Sequence, residues 1–180
     1  SESADSLASC CRLRNEISDH TFSYSLGAGG VATGSINVIT LNMNRLVQQN
    51  RNLSEEVRKI HRYQVAFRKL IEEYKAGGLL PVYDAGFISL DKQFLTIGIN
   101  GMVEAAEYLG IAPTNNEQYK NFVRHHLKII YEENRKAREV YGYMFNTEFV
   151  PAENLGVKNA LWDKKDGLFS PRECYNSYFY

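Results

Sequence analysis

The sequence has no surplus of charge, because 21 Lys and Arg residues balance 21 Asp and Glu residues. A protein that binds nucleic acid through the phosphates usually carries a basic face, so nucleic-acid binding is not expected. No apolar run approaches the about 18 residues that a membrane-spanning helix needs. The first residues, SESADSLASCC, have neither the basic start nor the apolar core of a signal peptide. The sequence therefore predicts neither a membrane span nor a signal peptide.

Cysteine is also scarce. Cys10, Cys11 and Cys174 are too few and too oddly spaced for a disulfide framework, and neither a CxxC pair nor a Cys/His cluster with zinc spacing occurs. We therefore expect a reducing, cytoplasmic location and no metal bound by this chain. The missing initiator Met favours a processed product or an excised piece of a longer protein.

What the sequence does have is the composition of a globular, core-forming domain, with 44% hydrophobic and 23% charged residues in a chain of 180. Short β-branched runs predict strands at 20–26, 35–42, 94–100 and 145–151. Apolar residues at helical spacing predict helices at 54–77, 102–110 and 116–144. Strands separated by long helices indicate a parallel α/β architecture. So few strands suggest a piece of a larger sheet or barrel.

Several element boundaries can also be predicted. Ser54 is a suitable N-cap for the first long helix, and the spacing of Thr114 and Glu117 is that of a capping box for the second. Residues 78–93 form a connector, AENLGVKN after Pro151 forms a loop, and DKKDG at 163–167 forms a turn. The last residues, 178–180, are strand-forming.

The vicinal pair Cys10-Cys11, followed by Arg12, is the first candidate for chemistry. A cysteine reacts as a thiolate, a metal ligand or a thiyl radical, and a neighbouring Arg favours the thiolate. The alternative is that one or both thiols are simply packed.

Two loops are further candidates. The glycine-rich stretch GAGGVATGS at 27–35 could bind phosphate through its backbone N–H groups. It matches neither a Walker motif nor GxGxxG, and taken alone such a stretch is more often a tight turn. In the loop after Pro151, Glu153 could accept hydrogen bonds from a sugar or act as a base, or could be a solvated surface residue. His125 and His126 are adjacent on one helix and are poor co-ligands, because they point in different directions.

Four segments together resemble the catalytic region of the anaerobic (class III) ribonucleoside-triphosphate reductases, which are glycyl radical enzymes. They are SLASCCRLRNE (6–16), GAGGVATGSINVITLNMNRL (27–46), FVPAENLGVK (149–158) and ECYNSYFY (173–180). The resemblance implies an α/β fold that is part of a ten-stranded barrel, with a finger loop carrying the active cysteine. On this reading 1–180 is one segment of the barrel domain, with the finger loop in 1–19 and barrel strands and helices in 20–180.

The resemblance also implies roles for individual residues. Cys11, which directly precedes Arg12, would become the thiyl radical that abstracts the ribose 3′-hydrogen, with Cys10 as the alternative. Glu153 would be a further catalytic residue, facing the ribose or its phosphates. The residues expected to bind the substrate are Gly29, Gly30, Gly34, Ser35, Asn154, Asn176 and Ser177. Loss of the 2′-hydroxyl as water and reduction would follow. The loop residues Gly29-Gly30-Val31-Ala32 contain no Asn, which argues against formate as the reductant.

By the same resemblance, several parts of the full enzyme should lie outside this chain: the N-terminal ATP-cone, the allosteric region, a second active-site cysteine, the four-cysteine zinc site and the glycyl radical. The implied partners are a ribonucleoside triphosphate, the rest of the reductase, a radical-SAM activating enzyme that uses S-adenosylmethionine, and a second copy of the full enzyme. The segment alone is expected to be inactive. The alternatives are another glycyl radical enzyme of the formate-lyase type and a non-catalytic helical interaction module.

Overall fold

The computed structural model describes residues 6–8, 14–16, 34–149 and 153–176. Two short strands, β1 (Ser6–Ala8) and β2 (Arg14–Glu16), pair antiparallel. The main sheet contains β3 (Gly34–Asn42), β4 (Gln93–Asn100) and β5 (Met144–Glu148). The helices are α1 (Met43–Gln48), α2 (Leu53–Ala76), α3 (Pro81–Asp84), α4 (Met102–Tyr108), α5 (Glu117–Tyr141) and α6 (Glu153–Lys165), with a 3-10 turn at Leu90–Lys92.

The main sheet is parallel, in the order β3-β4-β5. Each pair of strands is joined by a crossover that contains a long helix, α2 or α5, as a parallel sheet requires. The predictions of strands at 35–42, 94–100 and 145–151 and of a mixed, parallel α/β fold are confirmed. The predicted strands at 20–26 and 178–180 lie outside the described residues.

The hydrophobic core lies between one face of this sheet and the long helices. Leu95, Ile97 and Ile99 alternate along β4 and are fully buried, which places them on a single face of the strand. Ile97 and Ile99 belong to the same cluster as Val57 of α2 and Ile130 of α5, both 0% exposed. No helix in the described part of the chain is long and apolar enough to cross a membrane.

Asparagines, and not the predicted hydroxyl residues, cap the two long helices. Asn52 Oδ1 accepts a hydrogen bond from the Glu55 amide, and Asn116 Oδ1 accepts one of 2.8 Å from the Tyr119 amide. The predictions of Ser54 and Thr114 as N-caps were therefore wrong. Asparagine caps a helix as well as serine does, so residue type alone could not choose between neighbouring candidates.

The segment after β5 departs most from the sequence prediction. We expected a loop over 152–159 and a turn over 163–167, but Glu153–Lys165 forms helix α6, and the turn is confined to Asp166 and Gly167. Gly156, which falls within that predicted loop, lies inside the helix. A Cβ at this position would lie 2.8 Å from the Tyr175 carbonyl oxygen, so close packing explains the glycine. The predicted connector at 78–93 likewise contains α3 and the 3-10 turn.

Candidate active site

The second face of the sheet carries polar side chains. Thr96 of β4 points away from the Leu95–Ile97–Ile99 face because side chains alternate along a strand. Its register partner on β5 is Asn146, and Glu148 on β5 and Thr40 on β3 are both partners of Gly98. The long helices pack against the opposite face, and Val38 on this face is 42% exposed. We call this surface the polar face of the sheet.

Hydrogen bonds run across all three strands of the polar face. The Ser35 and Thr96 hydroxyls are in hydrogen-bond contact, and Thr96 Oγ1 donates to Asn146 Oδ1 at 2.6 Å. Asn146 Nδ2 in turn donates to Glu148 Oε1 at 3.2 Å. The row contains hydroxyls, an amide and a carboxylate but no Lys or Arg. Such groups suit the hydroxyls of a sugar better than they suit phosphate.

At the carboxyl end of β3, a fully buried carboxylate from α6 holds the polar face in place. Asp163 accepts hydrogen bonds from Asn42 Nδ2 at 3.1 Å, Asn44 Nδ2 at 3.0 Å, Arg45 Nε at 2.7 Å and the Tyr175 hydroxyl at 2.9 Å. Burial, together with the bond to Asp163, raises the pKa of Tyr175 to about 12, so the phenol stays protonated and donates. The bond to Asp163 raises the pKa of Arg45. Helix α6 is therefore joined to the end of β3 by buried, charge-assisted bonds.

A second buried carboxylate, Glu104 of α4, binds the segment after α6 near the end of β4. Glu104 Oε1 accepts from Arg172 Nη1 at 2.6 Å and from the Asn176 amide and side chain at 3.0 and 2.9 Å. Asn100, the last residue of β4, donates to the Asn176 carbonyl at 3.2 Å and accepts from Asn159 of α6 at 2.8 Å. Hydrogen bonds to Glu107 and, to a smaller extent, to Glu104 raise the pKa of Arg172. Both strand ends are thus bonded to α6 and to the segment that follows it.

Helix α6 begins only five residues after Glu148, the last residue of β5. In open α/β sheets and in barrels, ligands bind at the carboxyl ends of the parallel strands. The first turn of α6 and the polar face beside it therefore form the candidate active site in the described part of the chain.

The residues predicted from sequence fall into three groups. Gly34 and Ser35 begin β3, and Ser35 joins the hydrogen-bonded row on the polar face. Glu153 and Asn154 stand in the first turn of α6, where Asn154 is exposed, and Asn176 bonds to Glu104. Residues Cys10, Cys11, Gly29, Gly30 and Ser177 lie outside the described residues.

The structure does not bring all of the described candidates together. Gly34 and Asn42 are the two ends of a nine-residue strand, which is roughly 26 Å long at about 3.3 Å per residue. Gly34 therefore lies at the opposite end of β3 from the Asp163 cluster. Ser35 is next to Gly34 and therefore also lies far from the Asp163 cluster along β3.

Sequence reasoning missed the polar residues inside the strands. Thr96, Asn146 and Glu148 were counted only as parts of strands, yet Asn146 and Glu148 are two apart and must share a face. That spacing was a usable signal. Asp163 was missed because DKKDG was interpreted as a turn, and no local pattern marks it as buried. No group of three or more His, Cys, Asp or Glu residues within the described ranges could hold a metal ion.

Comparison with known proteins identifies a family. The family model described as anaerobic ribonucleoside-triphosphate reductase matches residues 1–180. No curated protein matches the chain.

Among solved structures, the anaerobic ribonucleotide reductase from Thermotoga maritima with citrate in the active site is 33% identical, with a TM-score of 0.76 over 83% of this chain and 31% of that chain. The same enzyme in complex with dATP and CTP is 34% identical, with a TM-score of 0.75 over 83% of this chain and 28% of that one. This chain thus spans about three tenths of the length of these structures. It belongs to the anaerobic ribonucleoside-triphosphate reductase family.

Proposed function

We propose that this chain is a catalytic segment of an anaerobic ribonucleoside-triphosphate reductase and reduces ribonucleoside triphosphates to deoxyribonucleotides as part of the full enzyme. The observation that carries the proposal is the family match over the whole chain. The relatives in complex with dATP and CTP are consistent with a nucleotide ligand. The same match weighs against the formate-lyase-type and interaction-module alternatives.

The proposed reaction starts at a cysteine. A thiyl radical on Cys11, or on Cys10, takes the hydrogen atom from ribose C3′. The 2′-hydroxyl then leaves as water after it is protonated, a reductant supplies two electrons and a proton, and the cysteine returns its hydrogen atom to C3′. The net change is one ribonucleotide, two electrons and two protons to one deoxyribonucleotide and one water. Because Cys10 and Cys11 fall in the connection between the paired strands β1 and β2, a finger loop is a reasonable setting for them.

The polar face supports a role in holding the ribose. Helices on one side of parallel strands and polar groups on the other side are expected of a barrel wall, and we propose that the three strands belong to the ten-stranded barrel. Ser35, Asn146 and Glu148 offer donors and acceptors for sugar hydroxyls. Because this row contains no Lys or Arg side chain, we expect the phosphates to bind elsewhere. We propose that they bind the glycine backbone around Gly29 and Gly30 and the first turn of α6, which includes Asn154.

The remaining parts of the enzyme are proposed to lie outside this chain. They are the glycyl radical that supplies the hydrogen-abstracting capacity, the zinc site, the ATP-cone and the surface for the radical-SAM activating enzyme. The full enzyme would be a cytoplasmic homodimer. The segment alone would not reduce nucleotides, because it contains no radical source.

The decisive experiment replaces each cysteine in the full-length reductase that carries this segment. Cys11→Ser should abolish turnover and leave folding intact, because the serine O–H bond is too strong for a glycyl radical to take its hydrogen atom. Cys174→Ser is the matched control, since Cys174 is exposed, and it should retain turnover. Loss of activity in Cys10→Ser with activity retained in Cys11→Ser would move the radical to Cys10. Full activity in both variants would refute the thiyl mechanism for this pair.

Glu153 is tested in the same enzyme. Glu153→Gln keeps the shape and removes the charge, so it should lower turnover much more than thermal stability if the carboxylate positions the ribose, because a displacement of ~1 Å can cost ~10²-fold in rate. Glu173→Gln, at an exposed position, is the control. Unchanged turnover in Glu153→Ala would remove this residue from the site.

The choice of reductant is tested in the same enzyme. Turnover with a dithiol as the reductant should exceed turnover with formate.

A further inference from the structure

Helix α6 buries two polar side chains and leaves three large apolar side chains exposed. Its buried residues are Gly156, Asn159, Ala160 and Asp163. Val157, Leu161 and Trp162 are 40%, 58% and 52% exposed. We call these three residues the outward face of α6. An ordinary surface helix shows the reverse pattern, with its apolar stripe towards the core.

The buried polar face is fully explained by the structure, but the exposed apolar face is not. Asp163 and Asn159 bond to the ends of β3 and β4. Nothing in that network requires Leu161 or Trp162, the single tryptophan of the chain. Large apolar side chains that are exposed together on one helix are a recognised feature of surfaces that contact another protein surface.

The charges around the outward face are positive. Lys158, Lys164 and Lys165 are exposed on α6, and none of them forms an ion pair with another described residue. Asp163 is buried, and Asp166 is paired with Arg45 at 2.6 Å. A complementary surface should therefore present carboxylates around an apolar centre.

A second copy of this chain does not fit that requirement at the same helix. Two α6 helices packed on each other would bring three lysines of one copy towards three lysines of the other, and like charges facing each other oppose association. The solved relatives offer another occupant, because this chain covers only 31% and 28% of their length. Most of a reductase of that length is thus available to cover the helix.

We infer that in the full-length reductase the outward face of α6 is an internal interface, covered by an apolar segment of the same polypeptide that carries Asp or Glu residues at its margin. This inference depends on the family membership and on the pattern of α6. It does not depend on the radical chemistry proposed above.

The test is residue-resolved oxidative footprinting of the full-length reductase before activation, read by mass spectrometry. Tyr119, which is 1% exposed, sets the protected level, and the denatured enzyme sets the exposed level. Trp162 and Leu161 should be at least tenfold less reactive in the folded than in the denatured enzyme, close to the level of Tyr119. Reactivity of Trp162 near the denatured level would overturn the inference.

Charge reversal tests the chemistry of the covering segment. The double variant Lys164→Glu, Lys165→Glu should raise the oxidation of Trp162 several-fold, because the new carboxylates repel those of the partner, and Lys164→Gln, Lys165→Gln should raise it less. Lys69→Glu, on exposed α2 surface, is the control and should leave it unchanged. No response to the reversal would refute an acidic partner.

Sedimentation tests whether the segment that covers the outward face of α6 belongs to a second copy or to the same polypeptide. If protection of Trp162 is lost on dilution, together with dissociation of a dimer, the occupant is a second copy and the inference is wrong. Because footprinting measures burial and not turnover, an inactive enzyme with a protected Trp162 would refute the proposed function alone. An active enzyme with an exposed Trp162 would refute this inference alone.

Discussion

Replacing Asp163 by Asn should loosen α6, because this one carboxylate accepts hydrogen bonds from four donors, which lie on β3, on α1 and in the segment after α6. Oδ1 receives Arg45 Nε at 2.7 Å, and Oδ2 receives Asn44 Nδ2 at 3.0 Å and the Tyr175 hydroxyl at 2.9 Å, while Asn42 reaches both oxygens. An Asn at this position would replace one of the two acceptor oxygens by an NH₂ group, which would face donors and could not accept their hydrogen bonds. It would also leave Arg45 without its buried anion.

The size of the effect follows from burial. Asp163 is 0% exposed but its partner Arg45 is 28% exposed, so removing the carboxylate should cost an amount near the lower end of the about 3–5 kcal/mol typical of breaking a buried ion pair. Since about 1.4 kcal/mol corresponds to a tenfold change in an equilibrium constant, local opening of α6 should become roughly 10²–10³ times more frequent. Amide hydrogen exchange of α6 in the full-length reductase measures this opening directly and does not require two-state unfolding of a large enzyme.

Asp166→Asn is the matched control. Asp166 follows the same helix and bonds to the same arginine at 2.6 Å, but its side chain is 50% exposed. Solvent screening limits an exposed pair to about 0.2–1 kcal/mol, or less than about tenfold in exchange. If Asp163→Asn accelerates exchange in α6 no more than Asp166→Asn does, the buried cluster does not hold the helix and the reasoning fails.

Two further predictions concern the same region. The pKa of Tyr175 is raised from 10 to about 12, so its contribution to stability is complete below pH 10 and is lost between about pH 10 and 12, by at most about 1.4 kcal/mol per pH unit. Urea unfolding should therefore show that the free energy of unfolding falls less steeply with pH over this range in Tyr175→Phe. An equal dependence on pH would contradict the assignment. Gly156→Ala should destabilise the enzyme in thermal unfolding although alanine improves helix propensity by about 1 kcal/mol, because the new Cβ would meet the Tyr175 carbonyl oxygen at 2.8 Å. Adding Cys174→Ala should not restore stability, since the closest atom is backbone, and a stabilised Gly156→Ala would show that the backbone yields.

The sheet was accessible from sequence because its signals are local. β4 reads QFLTIGIN, with apolar residues at alternate positions, and it is bounded by Gly101, which has a φ of 77°. Such a run is recognisable without knowing its neighbours. The long helices were equally accessible, since α2 and α5 carry apolar residues at helical spacing over 24 and 25 residues.

The candidate site was accessible only in part. The resemblance of short segments pointed to Cys11, Ser35 and Glu153, because those motifs are contiguous in sequence. The row from Ser35 through Thr96 to Asn146 could not be predicted in this way, because its members are separated by 61 and 50 residues and meet only through strand register. Register between parallel strands depends on the packing of the whole crossover, and no local pattern encodes it.

Helix α6 was missed for a different physical reason. Sequence reasoning identifies a helix by an apolar stripe that faces the core, and here the inward stripe contains Asn159 and Asp163 while Leu161 and Trp162 face outwards. The helix is held by hydrogen bonds that pair Asp163 with Asn42 and Asn159 with Asn100, and the two partners in each pair lie more than fifty residues apart in sequence. By the inference above, its exposed apolar residues pack against another part of the full-length enzyme. The hydrophobic pattern of a segment reflects every surface it packs against, so a helix between two parts of a larger protein shows the pattern of both and resembles a loop when only one is considered.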